Sequence, residues 1–199
     1  MKNKLHRRNN SLLRIIMVAV AMLLIGSLIQ LYAKEKPKAE QIKDIQKMAK
    51  ETLDKLYKLQ PDARAAIAKS AGYAVFSNYG FTFIFVGAGK GKGMAVDNET
   101  KKETYMKMWE GQAGFGLGGK KFSVVFAFAD KAKFDNFVKK GWDFGGQATA
   151  AADTGLDGGA YQGAISVSPG VWVYQMTEKG LALEIMAKGT KYYKDDDLN

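Results

Sequence analysis

GQAGFGLGGKKFSVVFAFA, residues 111–129, decides the fold. Gly114, Gly116 and Gly119 spell G-x-G-x-x-G, a pattern that cradles a pyrophosphate when a strand leads into it and a helix opens on it. The residues after Gly119 refuse the second condition. Phe122, Val124, Phe126 and Phe128 alternate with Val125, Ala127 and Ala129, so the run is apolar on both faces with period two. That predicts a buried central strand. With no helix N-terminus to meet a phosphate, no nucleotide is expected here. GAGKGKG (87–93) fails as a P-loop too, because Lys90 and Lys92 are followed by glycine rather than Ser or Thr.

The same stretch carries a second pattern. Gly114, Gly116 and Gly118 alternate with Ala113, Phe115 and Leu117, and Gly87, Gly89, Gly91 and Gly93 alternate with Val86, Ala88, Lys90 and Lys92. A strand face made only of glycine bends easily and admits close approach. Sheet curvature with tight layer packing is the first reading. A ligand groove over the bare faces is the second.

Outward from this segment, period two dominates. GYAVFSNYG (72–80) and FTFIFVGAG (81–89) are rich in aromatic and β-branched residues. KGKGMAVDN is expected to pair with KKETYMKMWE across a turn near Asn98–Lys101. Strands resume with WDFGGQATAAA, and AYQGAISVS follows the glycine-rich DTGLDGG. VWVYQM and LALEIMAKGTKYY form a hairpin around Thr177–Gly180, and the closing DDDLN reads as frayed. One helix interrupts the strands, with Asp130 as N-cap, Phe134, Phe137 and Val138 on its apolar side, and Gly141 as its stop. Before the strands, Ile42, Ile45, Ala49, Leu53, Leu56 and Leu59 recur at helical spacing, Pro61 breaks the run, and a short helix follows over 62–70. The fold class is α+β: a bent antiparallel sheet, barrel-like or sandwich-like, with N-terminal helices (39–70) and one inserted helix, the β-rich domain covering 71–195.

Residues 1–33 are read as a targeting segment, not fold. Five basic residues and no acid precede an apolar run from Ile15 to about Leu31, and Ala33 suits a cleavage point. The run is an export signal or a retained inner-membrane anchor over residues 15–32. Residues 34–41 are a polar linker. The expected location is the periplasm, free or anchored.

Composition narrows the chemistry. There is no cysteine, so disulfides, thiolate metal sites and cysteine nucleophiles are out. The single histidine, His6, lies in the leading segment, which removes His-based dyads and multi-histidine metal sites. Net charge is +10, but the chain after residue 33 holds 25 basic against 20 acidic side chains. That body is mildly basic and does not suggest nucleic acid. No G-x-S-x-G elbow or EF-hand spacing is present, so the chain is read as a non-enzyme without cofactor or metal.

Two surface features remain. Tyr79, Phe81, Phe83 and Phe85 form an aromatic stripe on one strand face, read as core or as a surface that meets acyl chains. Lys90, Lys92, Lys120 and Lys121 flank the glycine-faced strands and form a cationic patch for anionic headgroups if those strands pair, or else ordinary solvated lysines.

The ordered set AKSAGYAVFSNYG, GKGMAVDN, GQAGFGLGG, KFSVVFAFADKAKFDNF, DFGGQATAAA and VWVYQMTEKGLALE resembles the SYLF domain family, across about Ile67 to Tyr193. The resemblance implies a lipid-binding module rather than an enzyme. Eukaryotic members bind phosphoinositide membranes through basic residues and an N-terminal amphipathic helix, and some bind actin; bacterial members carry export signals and belong to the cell envelope. Ser77 stands where bacterial members usually have proline, and FTFIFVGAG puts bulky aromatics into a run that is usually richer in glycine. The expectation is a membrane- or lipid-binding envelope protein, with Lys90, Lys92, Lys120 and Lys121 at headgroups and Tyr79, Phe81 and Phe83 at apolar parts. The alternative is an envelope protein that docks a protein partner without lipid.

Overall fold

The computed structural model describes residues 36–77, 88–111, 122–143, 160–182 and 190–199. From Lys38 to Asn199 the chain forms one compact unit. Among the described residues its centre is a nine-stranded antiparallel sheet curled into a half-barrel, flanked by three helices.

The alternation in KFSVVFAFA builds the middle of that sheet. Strand β4 (Ser123–Phe128) is buried at every position. It pairs with β1 (Gly72–Ser77) on one side and with β7 (Val171–Thr177) on the other. Beyond β1 lie β2 (Ala88–Asp97), β3 (Glu103–Gly111), β9 (Thr190–Lys194) and the short edge β5 (Trp142–Asp143). Beyond β7 lie β6 (Ile165–Ser168) and β8 (Gly180–Ala182).

Because directly paired residues share a face, the register sorts the core in two. One face carries Ala74, Phe76, Met106, Met108, Val124, Phe126, Phe128, Val173 and Tyr192. The inserted helix α3 (Lys131–Lys140) closes it with Phe134 and Phe137. Phe126 and Phe137 have ring centroids 5.1 Å apart, and Phe76 meets Tyr192 edge-on at 4.6 Å. The other face carries Val75, Met94, Val96, Val125, Ala127, Tyr174 and Met176. Helix α1 (Lys38–Leu59) lies on it with Ile45, Ala49 and Leu56 inward, and α2 (Ala63–Lys69) adds Ala63 and Ile67. Among the described residues both cores lie between Ile45 and Leu198, within the compact unit Lys38–Asn199.

Local signals explain the boundaries. Asp130 accepts a hydrogen bond from the Lys133 N–H at 2.8 Å, capping α3, and Gly141 ends it at φ 75°. The β2–β3 turn falls where the sequence places it. Asp97 accepts from the N–H groups of Glu99 and Thr100 at 2.9 and 3.0 Å, while Lys101 takes φ 58°. The Asn98 amide donates to the Ile67 and Ser70 carbonyls, satisfying the open end of α2.

Asp97 is buried and also pairs with Lys131 at 3.1 Å. The Thr100 N–H foremost, then Lys131, hold its carboxyl below the ordinary value of 3.8. A depressed carboxyl stabilises the fold above its unfolded pKa and loses that contribution as pH falls through the folded value. Asp97→Ala should therefore cost about 1–2 kcal/mol at neutral pH. The gap from wild type in urea titrations should narrow toward pH 3. A gap of equal size at both pH values would remove the carboxylate from the account.

Two expectations change. LALEIMAKGTKYY is not one arm of a hairpin. Gly180–Ala182 pairs with β7, but Thr190–Lys194 sits at the far side of the sheet against β3. The alternation of TKYY, with Tyr192 buried and Tyr193 exposed, suits either partner, and the sequence holds nothing that selects one. The closing DDDLN is not frayed either. Asp195 is buried, Leu198 joins the helix-side core, and the Asn199 side chain brackets Tyr105, accepting from its N–H and donating to its carbonyl.

Candidate functional site

The bare glycine face has an occupant within the chain. Gly93 stands opposite Phe76 in register, and a Cβ added there would lie 2.2 Å from the Phe76 ring and 2.3 Å from the Val75 carbonyl oxygen. A Cβ on Gly91 would meet the Met108 methyl at 2.4 Å. At these positions glycine lets aromatic and methionine side chains lie flat over the sheet. A ligand groove over Gly91 and Gly93 is therefore ruled out, and tight layer packing is the correct reading there. Gly87 and 112–121 lie outside the described residues, as do Tyr79, Phe81, Phe83, Lys120 and Lys121. Lys90 is placed by its backbone in β2, opposite Trp109.

The opposite face of the same strands carries the functional candidates. Lys92 pairs in register with Lys107, Lys107 with Tyr193, and Trp109 with Lys191. All of these side chains therefore leave the helix-side face of β2, β3 and β9, at the end where α1 begins. Gln41, in the first turns of α1, accepts a hydrogen bond from Lys92. Past that contact the face opens: Trp109 is 36% exposed and Tyr193 44%, two of the three large hydrophobic side chains exposed among the described residues. Two aromatic rings thus stand beside a row of lysines on a rigid three-stranded floor.

The electrostatics are not those of a bare cationic patch. Lys107 Nζ donates to Asp195 at 2.8 Å and to Asp197 at 2.9 Å. These two hydrogen bonds raise its pKa well above the ordinary lysine value. Lys191 pairs with Asp143 at 3.0 Å. The expected patch therefore exists in kind, but carboxylates contributed by the closing segment and by β5 partly cancel it. Sequence reading placed Lys92 here and missed Lys107, Trp109, Lys191 and Tyr193. Part of their signal was present: in YMKMWE and TKYY the polar and aromatic residues alternate with core residues, which puts each set on one strand face, but only the structure pairs the two strands.

Elsewhere the surface offers less chemistry. A groove of about 290 Å³ runs beside α1, lined in part by Tyr57, Tyr73 and Glu103. Glu103 accepts from Gln46 at 2.8 Å and from the Tyr105 hydroxyl at 2.6 Å. Burial, with that carboxylate, pushes Tyr105 up to about 12. These bonds fasten α1 to the sheet. Among the described residues no three His, Cys, Asp or Glu groups converge to hold a metal, and no helix is long and apolar enough to cross a membrane. On α1, Lys47 and Lys50 are exposed but carry their own counter-ions, Glu51 at 3.9 Å and Asp54 at 2.8 Å.

No protein-family profile matches the chain. Over 156 residues it is 37% identical to a protein of Aeromonas veronii named Beta cell expansion factor A, a match that takes in 77% of this chain and 57% of that protein. The chain thus spans less than two thirds of the relative's length.

Proposed function

We propose that this protein is a SYLF-type, non-enzymatic binder of anionic lipid surfaces, exported to the cell envelope by its leading segment. The observation that carries the reading is the exposed pair Trp109 and Tyr193 beside Lys92, Lys107 and Lys191. Tryptophan and tyrosine have an apolar body and a polar tip, which suits the headgroup boundary of a bilayer. Lysines beside them add attraction to anionic lipid, worth about 1 kcal/mol each near the surface. The filled face at Gly91 and Gly93 favours contact at the helix-side lysines and aromatic rings over a lipid held against those glycines. The resemblance of six ordered segments to the SYLF family supports the same reading.

The test is co-sedimentation of the Lys38–Asn199 unit with phosphatidylcholine vesicles, with and without phosphatidylglycerol. Pelleting should require phosphatidylglycerol and should weaken as salt shortens the Debye length from about 30 Å at 0.01 M to about 8 Å at 0.15 M. Absence of pelleting at low salt would sink the lipid reading and leave the aromatic pair as a surface for a protein partner.

A further inference from the structure

We infer that Lys38, Lys92 and Lys107 form a binding site for a phosphate-type anion, which the Asp197 carboxylate fills from within the chain. The inference rests on the lipid-surface reading above and names how that surface is regulated. Lys107 reaches its neighbours from β3, Lys92 stands directly opposite it on β2, and Lys38 opens α1. Asp197 meets Lys107 at 2.9 Å, and Lys107 foremost, then the charges of Lys38 and Lys92, hold its carboxyl below the ordinary value.

The two acids on Lys107 differ in kind. Asp195 is buried, with 2% of its side chain exposed, and accepts the Asp197 N–H at 3.1 Å, so it belongs to the fold. Asp197 leaves 81% of its side chain in solvent. An exposed carboxylate on a half-buried lysine is a weak, exchangeable ligand. Free phosphate brings more charge and more acceptor oxygens to the same donors, and a dense phosphodiester surface offers many such oxygens at once. The segment Asp195–Asn199 stays attached meanwhile through Asp195 and through the Asn199 bonds to Tyr105. Asp197 can therefore be displaced without the segment unfolding. The result is a surface that discriminates against weakly charged membranes: only a dense anionic surface outcompetes the internal carboxylate.

Asp197→Asn removes the competitor and keeps the side chain's size. The variant and wild-type Lys38–Asn199 units are compared in two arms, phosphatidylglycerol vesicles and free inorganic phosphate. Glu178→Gln, an exposed site on the β7–β8 turn, controls for the change in net charge. Asp197→Asn should bind the vesicles at least threefold more tightly, and phosphate should raise its melting temperature relative to chloride at equal ionic strength. Adding Lys92→Gln should abolish both gains. A gain with phosphate but none with vesicles would keep the anion site and refute the lipid reading. A gain matched by Glu178→Gln, or no gain in either arm, would overturn the site itself.

Discussion

Gly93→Ala should unfold the protein or cost it upwards of about 3 kcal/mol, whereas Gly91→Ala should cost about 1 kcal/mol. The two positions look alike in sequence, two residues apart on one face of one strand. Their surroundings differ. A methyl on Gly93 would meet the Val75 carbonyl oxygen at 2.3 Å and the Phe76 ring at 2.2 Å. The carbonyl belongs to the ladder between β1 and β2 and cannot retreat without breaking it. The ring is held by Phe126 at 6.1 Å, Phe137 at 6.2 Å and Tyr192 at 4.6 Å. Shifting it disturbs the aromatic cluster that joins β1, β4, β9 and α3. A methyl on Gly91 meets chiefly the end of Met108, which can swing aside, while the Ser77 carbonyl oxygen at 3.0 Å must give by only a few tenths of an ångström. Urea titration of both variants reads the contrast. Equal, small losses would mean that the glycine face is open at Gly93.

That contrast shows where the sequence was legible. Alternation in KFSVVFAFA identifies a strand buried on both sides, because only a central strand needs apolar residues at every position. Asp130 and Gly141 bound their helix through local hydrogen bonds and a positive φ, both properties of single residues. Period-two glycines announce a close approach. What the sequence withholds is the identity of what approaches, since Phe76 reaches Gly93 only through the β1–β2 register. Long-range pairing is withheld for the same reason. The placing of Thr190–Lys194 against β3 brings Tyr193 beside Lys107 and delivers Asp195–Asn199 to the same place. Nothing within TKYYKDDDLN encodes that destination. The candidate site was therefore half visible: Lys92 stands out in sequence and Trp109 lies one hairpin away on β3, while Tyr193 and the carboxylates that quench the lysines arrive from residues 143–197 through long-range pairing.

Trp109→Ala and Tyr193→Ala should each weaken vesicle binding about tenfold and cost about 1–2 kcal/mol of stability, set by the covered part of each ring. Both rings are part-covered already, so only their exposed portions remain to be removed from water. A fully transferred large apolar side chain contributes about 2–3 kcal/mol, and roughly half of that corresponds to about a tenfold change. The same argument separates these residues from Trp172, the other tryptophan on this face. Trp172 stacks on Tyr161 at 4.0 Å and packs on the helix-side core, so its replacement should lower stability without weakening vesicle binding. Salt distinguishes aromatic from lysine contributions. Losing Trp109 or Tyr193 should lower binding by the same factor at every ionic strength, because apolar transfer is not screened. Lys191→Gln should flatten the salt dependence and matter little at 0.15 M. Emission from Trp109, read as the difference between wild type and Trp109→Phe, should shift to the blue on vesicles and be quenched by bromine placed near the headgroup end of the acyl chains. A Trp109 signal indifferent to vesicles that the protein nonetheless pellets with would move the contact surface elsewhere on the molecule, and the lysine row would then have to bind without its aromatic neighbours.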